Sequence, residues 1–122
     1  MIEKYFGQIE KLIEDFPFIA TYTLTKKVYN HKQGYIRGTI NFVNGYYLDF
    51  VEVKNIDVEG KLKYRYQYMD AEKEEIFRYD NAPHHRHLKR FPHHKHIENE
   101  VIASSEPTLE GVLLEIAQHN RS

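Results

Sequence analysis

From Phe18 to Asp80 the chain is written in short alternating runs separated by turn residues, and no stretch between them is long enough for a crossover helix. Ala20, Tyr22, Leu24 and Val28 alternate with Thr21, Thr23 and Thr25, and Ile36, Gly38, Ile40 and Phe42 alternate with Arg37, Thr39 and Asn41. β-Branched and aromatic residues at a period of two mark half-buried strands. Asn44-Gly45 separates the run Tyr35 to Val43 from the run Tyr46 to Lys54. That dipeptide between alternating runs predicts a tight type I′ hairpin with positive φ at both central residues. A further run carries Leu62, Tyr64, Tyr66 and Tyr68 on one side and Lys61, Lys63, Arg65 and Gln67 on the other. After a turn at Asp70 to Lys73, the segment Glu74 to Asp80 returns as a strand whose bulk is Ile76, Phe77 and Tyr79. Strands joined by such short turns run antiparallel.

Helical periodicity is confined to the ends. Ile2, Tyr5, Phe6, Ile9, Leu12, Ile13 and Phe16 recur every three or four residues before Pro17 stops the helix. Near the other end Pro107 suits a first turn, and Leu109, Val112, Leu113, Ile116 and Ala117 form an apolar stripe. The expected fold is therefore α+β: an antiparallel sheet of about five to six strands, with N-terminal and C-terminal helices packed on one face. The 122 residues suit a single domain, 1–122.

The last strand delivers a histidine-rich segment, Asp80 to His96, that holds six of the eight histidines. Pro83-His84-His85-Arg86-His87 and Pro92-His93-His94-Lys95-His96 repeat one pattern nine residues apart, with Lys89 and Arg90 between them. Each proline disfavours helix in the residue before it, so the stretch between Pro83 and Pro92 reads as an ordered loop. Ile97 to Ala103 reads as a short extra strand or an arm. The formal net charge of the chain is -1, yet Arg86, Lys89, Arg90 and Lys95 make this segment basic, which points to an anionic ligand. Cysteine is absent, excluding disulfides and thiolate zinc sites, and neither a signal pattern nor a bilayer-length apolar run is present. A cytoplasmic protein with no membrane partner is expected. Phosphate-binding glycine loops and H-E-x-x-H or G-x-S-x-G motifs are also absent.

The series Arg78-Tyr79-Asp80-Asn81-Ala82-Pro83-His84, then Phe91-Pro92-His93-His94-Lys95-His96, then Glu106-Pro107-Thr108-Leu109 opening a helix, resembles the TumE family of small prokaryotic toxin components. There a Y-D-x-A-P-H segment leads to F-P-H-H-K-H and a short C-terminal helix. The resemblance covers roughly the last third sharply; the strand-rich part agrees in length and character. It implies the toxin of a type II-like toxin-antitoxin system, encoded beside an antitoxin, TumA, with a helix-turn-helix DNA-binding domain. It also implies ribonuclease-like activity and functional positions at Asp80, His84, His93, His94 and His96.

The residue chemistry agrees with such an activity. Metal-independent RNA cleavage needs a base for the ribose 2′-hydroxyl, an acid for the leaving 5′-oxygen, and cations for the transition state. His84 with His94 or His96 suits the acid-base pair, and Asp80 suits a carboxylate that orients an imidazole. Arg86, Lys89, Arg90 and Lys95 suit phosphate, while Tyr79 or Phe91 suits base stacking. No cofactor is expected on that reading. The alternative is a divalent transition metal held by Asp80 with His84, His93, His94 and His96, making a metal-dependent hydrolase. A non-catalytic RNA-binding or interaction protein is a third reading, and a homodimer is an assembly any of them allows. The tyrosines read as sheet core. Lys61, Lys63 and Arg65 read as a solvated sheet face that could extend the basic surface, and Asp49 and Glu52 as ordinary strand residues.

Overall fold

The computed structural model describes residues 1–82 and 92–119. Helix α1 spans Ile2–Asp15 and ends at Phe16, whose extended backbone leads into Pro17. Seven strands follow in order: β1 (Ile19–Val28), β2 (Gln33–Phe42), β3 (Tyr47–Asn55), β4 (Lys63–Met69), β5 (Glu75–Asp80), β6 (His94–Ile97) and β7 (Glu100–Ala103). Helix α2 spans Leu109–His119. The strands form one antiparallel meander, each paired with its sequence neighbours.

The α+β architecture follows the sequence pattern, but the sheet has seven strands rather than five to six. The difference lies in the histidine segment. The loop expected between Pro83 and Pro92 falls, over 83–91, outside the described residues. Beyond it His94–Ile97 occupies the edge that β5 would otherwise expose, then turns through Glu98 and Asn99 so that β7, within the short extra strand expected over Ile97 to Ala103, pairs with it. Glu98 takes a positive φ of 52° in that two-residue turn. An edge strand with unpaired amides recruits any extended neighbour, which is why four residues suffice here.

The Asn44-Gly45 hairpin forms as expected between β2 and β3, but with different turn geometry. Among Val43, Asn44 and Gly45 only Gly45 has positive φ, at 87°. The Gly45 N–H donates to the Phe42 carbonyl and the Phe42 N–H to that of Tyr46. This is a three-residue loop with glycine in the left-handed position, the other common hairpin solution.

One face of the sheet carries both helices. Ile2, Phe6, Ile9 and Ile13 of α1 and Leu109, Val112, Leu113 and Ile116 of α2 pack with Ile36, Ile40, Leu48, Phe50, Tyr64, Tyr66, Tyr68 and Phe77. The three tyrosines of β4 are core, as their alternation predicts. Lys61 departs from that alternation because β4 begins only at Lys63. Its side chain turns inward, 6% exposed, to Glu106 and the Pro107 carbonyl, and Leu62 faces out instead. Gly38 lies in the core row between Leu24 and Phe50. A Cβ there would stand 2.6 Å from the Thr23 carbonyl oxygen and 2.7 Å from a Leu24 methyl. Gly38→Ala is expected to cost about 1–3 kcal/mol through overpacking, seen as a lower urea midpoint at unchanged m value.

Candidate active site

Side chains on a strand alternate between faces, and register decides which of them meet. Asp80 lies opposite His94 and Arg78 opposite His96, so all four project from the face of the sheet opposite α1 and α2. Tyr79 lies opposite Lys95, and both point to the helical face. The alternation in Pro92-His93-His94-Lys95-His96 thus divides the motif between two environments.

On the open face Asp80 is the hub. Its Oδ1 lies 2.5 Å from His94 Nε2 and accepts the backbone N–H of Ala82 at 3.1 Å. Its Oδ2 accepts Arg78 Nε–H at 2.9 Å and lies 3.3 Å from His96 Nε2. Asp80 is 8% exposed and His94 2%. The His94 Nδ1 stands 2.8 Å from the Pro92 carbonyl oxygen. A carbonyl oxygen can only accept, so Nδ1 is the donor in that contact, while Nε2 faces the Asp80 carboxylate. His94 is thereby fixed at both ends, a post that holds the carboxylate.

His96 differs. It is the more exposed of the two rings, and an Arg78 guanidinium nitrogen lies 3.1 Å from its Nε2 and 3.3 Å from its Nδ1. Burial and then the Arg78 charge push its pKa below the ordinary histidine value of 6.5, against the opposing pull of Asp80. At neutral pH the ring is therefore unprotonated and able to take a proton. Arg78 also reaches Glu75 at 3.1 Å, which fixes its orientation.

Asp80, His94 and His96 also offer one ligand atom each within 4.8 Å of one another, the geometry of a candidate cation site. His93 is not among them: its ring stacks on Tyr64 and its Nδ1 meets the Tyr64 hydroxyl at 2.9 Å. The Arg78 guanidinium on Asp80 opposes a divalent ion there by like charge.

Tyr79 and Lys95 are not brought to the cluster. The Tyr79 hydroxyl donates to Glu115 Oε1 and the Lys95 ammonium to Glu115 Oε2, both at 2.6 Å, tying β5 and β6 to α2. Lys95 lies over the rings of Phe77 and Tyr79, 4.9 and 4.8 Å from their centroids. Burial alone would lower the Lys95 pKa, but Glu115 and the Tyr79 hydroxyl outweigh it and raise it. His84, His85, Arg86, His87, Lys89, Arg90 and Phe91 lie outside the described residues. Arg78 is the residue of the cluster that the motif does not mark. Its signal is positional: it lies two residues before Asp80 and so shares its face.

The family described as Toxin TumE matches residues 9–120, nearly the whole chain. The protein belongs to the TumE toxin family. Membership implies a toxin role and, in general terms, an antitoxin partner. No curated protein and no solved structure matches the chain. The matched region contains the whole Asp80, His94 and His96 cluster of this TumE protein. No described helix is long and apolar enough to cross a membrane.

Proposed function

We propose that this toxin cleaves RNA, with His96 as the general base. The observation that carries the reading is the His96 imidazole, kept neutral by burial and Arg78, beside a carboxylate held by His94 on the face of the sheet opposite α1 and α2. In the proposed step His96 takes the proton of a ribose 2′-hydroxyl as that oxygen bonds to the adjacent phosphorus. The bond from phosphorus to the 5′-oxygen breaks, and an acid protonates the leaving oxygen. His84 is the sequence candidate for that acid. The products are a 2′,3′-cyclic phosphate and a free 5′-hydroxyl. The Arg78 guanidinium offers positive charge where the phosphorane accumulates negative charge. Asp80 and His94 position His96 and Arg78. For the antitoxin we propose, on the family resemblance, a helix-turn-helix DNA-binding protein whose co-expression suppresses cleavage.

Tag-free protein incubated with total RNA, with and without EDTA and beside His96→Ala, tests this. Cleavage that survives EDTA and falls about 10²–10⁴-fold in the variant is expected. Loss of cleavage in EDTA would assign the three clustered ligands to a metal instead. No cleavage in any condition would sink the ribonuclease reading.

A further inference from the structure

The face that carries His96 continues across the sheet, and its charge is uneven. Arg37 lies opposite Val51, Val51 opposite Arg65, Arg65 opposite Asp80, and Asp80 opposite His94, so one cross-strand row runs from β2 to β6. Beside it, Lys63 lies opposite Val53. Arg37, Lys63 and Arg65 are exposed and border a hollow of about 440 Å³ floored by Thr23, Thr25, Thr39 and Val51. We infer that this row is the track of a single-stranded RNA, whose backbone lies across the strands from Arg37 through Arg65 to His96. The inference rests on the reading of the histidine cluster as an RNA-cleaving site.

Three observations favour that occupant. The first is the pairing of charges. Among the described residues Arg37, Lys63 and Arg65, like Lys4, Lys27, Lys54 and Lys73, meet no carboxylate, and these three gather at one hollow. Asp49, which accepts the Thr39 hydroxyl, is the one carboxylate lining the hollow, so the three cations outnumber it there, and Asp80 and Glu75 are ion-paired with Arg78. The surplus positive charge fits a polyanion.

Geometry is the second. Strands stand about 4.8 Å apart, so Arg37 to Arg65 and Arg65 to His94 each span roughly 10 Å. Long arginine side chains at that interval can follow a flexible backbone and deliver it to the cluster at the far end of the row. The third is an aromatic surface beside the cations. Tyr35 lies opposite Val53, in the row that contains Lys63, with Tyr29 tilted against it at a centroid distance of 6.1 Å. Unpaired bases stack on such rings, while a duplex hides its own.

The test is fluorescence anisotropy with a labelled 2′-O-methyl single-stranded oligonucleotide, which binds as RNA but lacks the attacking hydroxyl. Wild-type protein, the Arg37→Ala/Lys63→Ala/Arg65→Ala variant and a Lys11→Ala control are titrated at several salt concentrations. The expected result is at least tenfold weaker binding by the triple variant, with the slope of log affinity against log salt smaller in magnitude by about 2, near 0.7 for each lost phosphate contact. Lys11→Ala should match wild type. Because the three side chains are exposed, urea unfolding of the triple variant should also match wild type. Equal affinity and slope in the triple variant would overturn the track, and loss of cleavage in His96→Ala would then leave the site reading standing alone. Wild-type protein that neither binds the probe nor cleaves RNA would overturn both. Protection of Arg37 and Arg65 by an acidic antitoxin, with no RNA binding by wild type, would assign the face to a protein.

Discussion

Glu52→Ala is expected to lower the melting temperature by roughly 12–20 °C. Glu52 lies on the helical face of β3 and is 0% exposed. Tyr66 donates its hydroxyl to Oε2 at 2.6 Å, and Tyr5 of α1 donates to Oε1. Burial and then the Glu52 charge raise the pKa of both phenols far above 10, so both remain donors at physiological pH. Alanine leaves two buried hydroxyls without their acceptor and opens a cavity. Each orphaned hydroxyl costs about 1–3 kcal/mol, giving about 3–5 kcal/mol with the lost packing. Tyr66→Phe removes one donor and should cost about 1.5–3 kcal/mol. Differential scanning calorimetry measures both, and a Glu52→Ala shift under 4 °C would refute this account. The phenols add a pH signature. Their folded-state pKa values are raised, so their contribution is complete below about pH 10 and is lost as pH rises beyond it. Tyr66→Phe should make that alkaline loss shallower.

Glu52 also shows where sequence patterning stops being informative. Its position in β3 marks it for the helical face, yet a carboxylate at an inward position reads as an ordinary strand residue until its donors are known. Those donors come from α1 and β4, 47 and 14 residues away. The periods of the strands and helices are local properties, so they predict both terminal helices and the first five strands. The turn at Asn44-Gly45 was legible as a hairpin but not as a three-residue loop, because glycine satisfies either geometry. Strand β6 was hidden by the prolines and histidines, which carry no β signature. Its pairing with β5 supplies the order that its own sequence does not.

The geometry of the candidate site was legible to a similar depth. Asp80, His94 and His96 could be marked from motif and alternation, since an extended chain puts His94 and His96 on one side. Register then adds what spacing cannot. Pairing Asp80 with His94 and Arg78 with His96 separates an anchored ring from a more exposed one, and sends Lys95 and Tyr79 to Glu115 on the other face.

On the proposed ribonuclease reading, Asp80→Asn is expected to reduce kcat/KM for RNA cleavage by on the order of 10²-fold, without removing any group that touches substrate. Asp80 takes hydrogen bonds from Arg78 and Ala82 and faces His94 and His96. An asparagine would turn an amide N–H toward one of these donors, releasing Arg78 or His94 and loosening His96. A merely structural role would lower the amount of folded enzyme and leave its pH profile alone. A positioning role moves the profile. The acidic limb of kcat/KM reports the base in the free enzyme, and burial with Arg78 holds His96 below 6.5, so the wild-type limb lies below that pH. The Asp80 charge opposes that lowering, so Asp80→Asn should move the limb further down. Removing the cation with Arg78→Ala should move it the other way, toward 6.5. Opposite displacements in the two variants, measured on purified folded protein with a defined RNA, would identify His96 as the titrating base. Limbs that coincide with wild type in both would assign the base to another group.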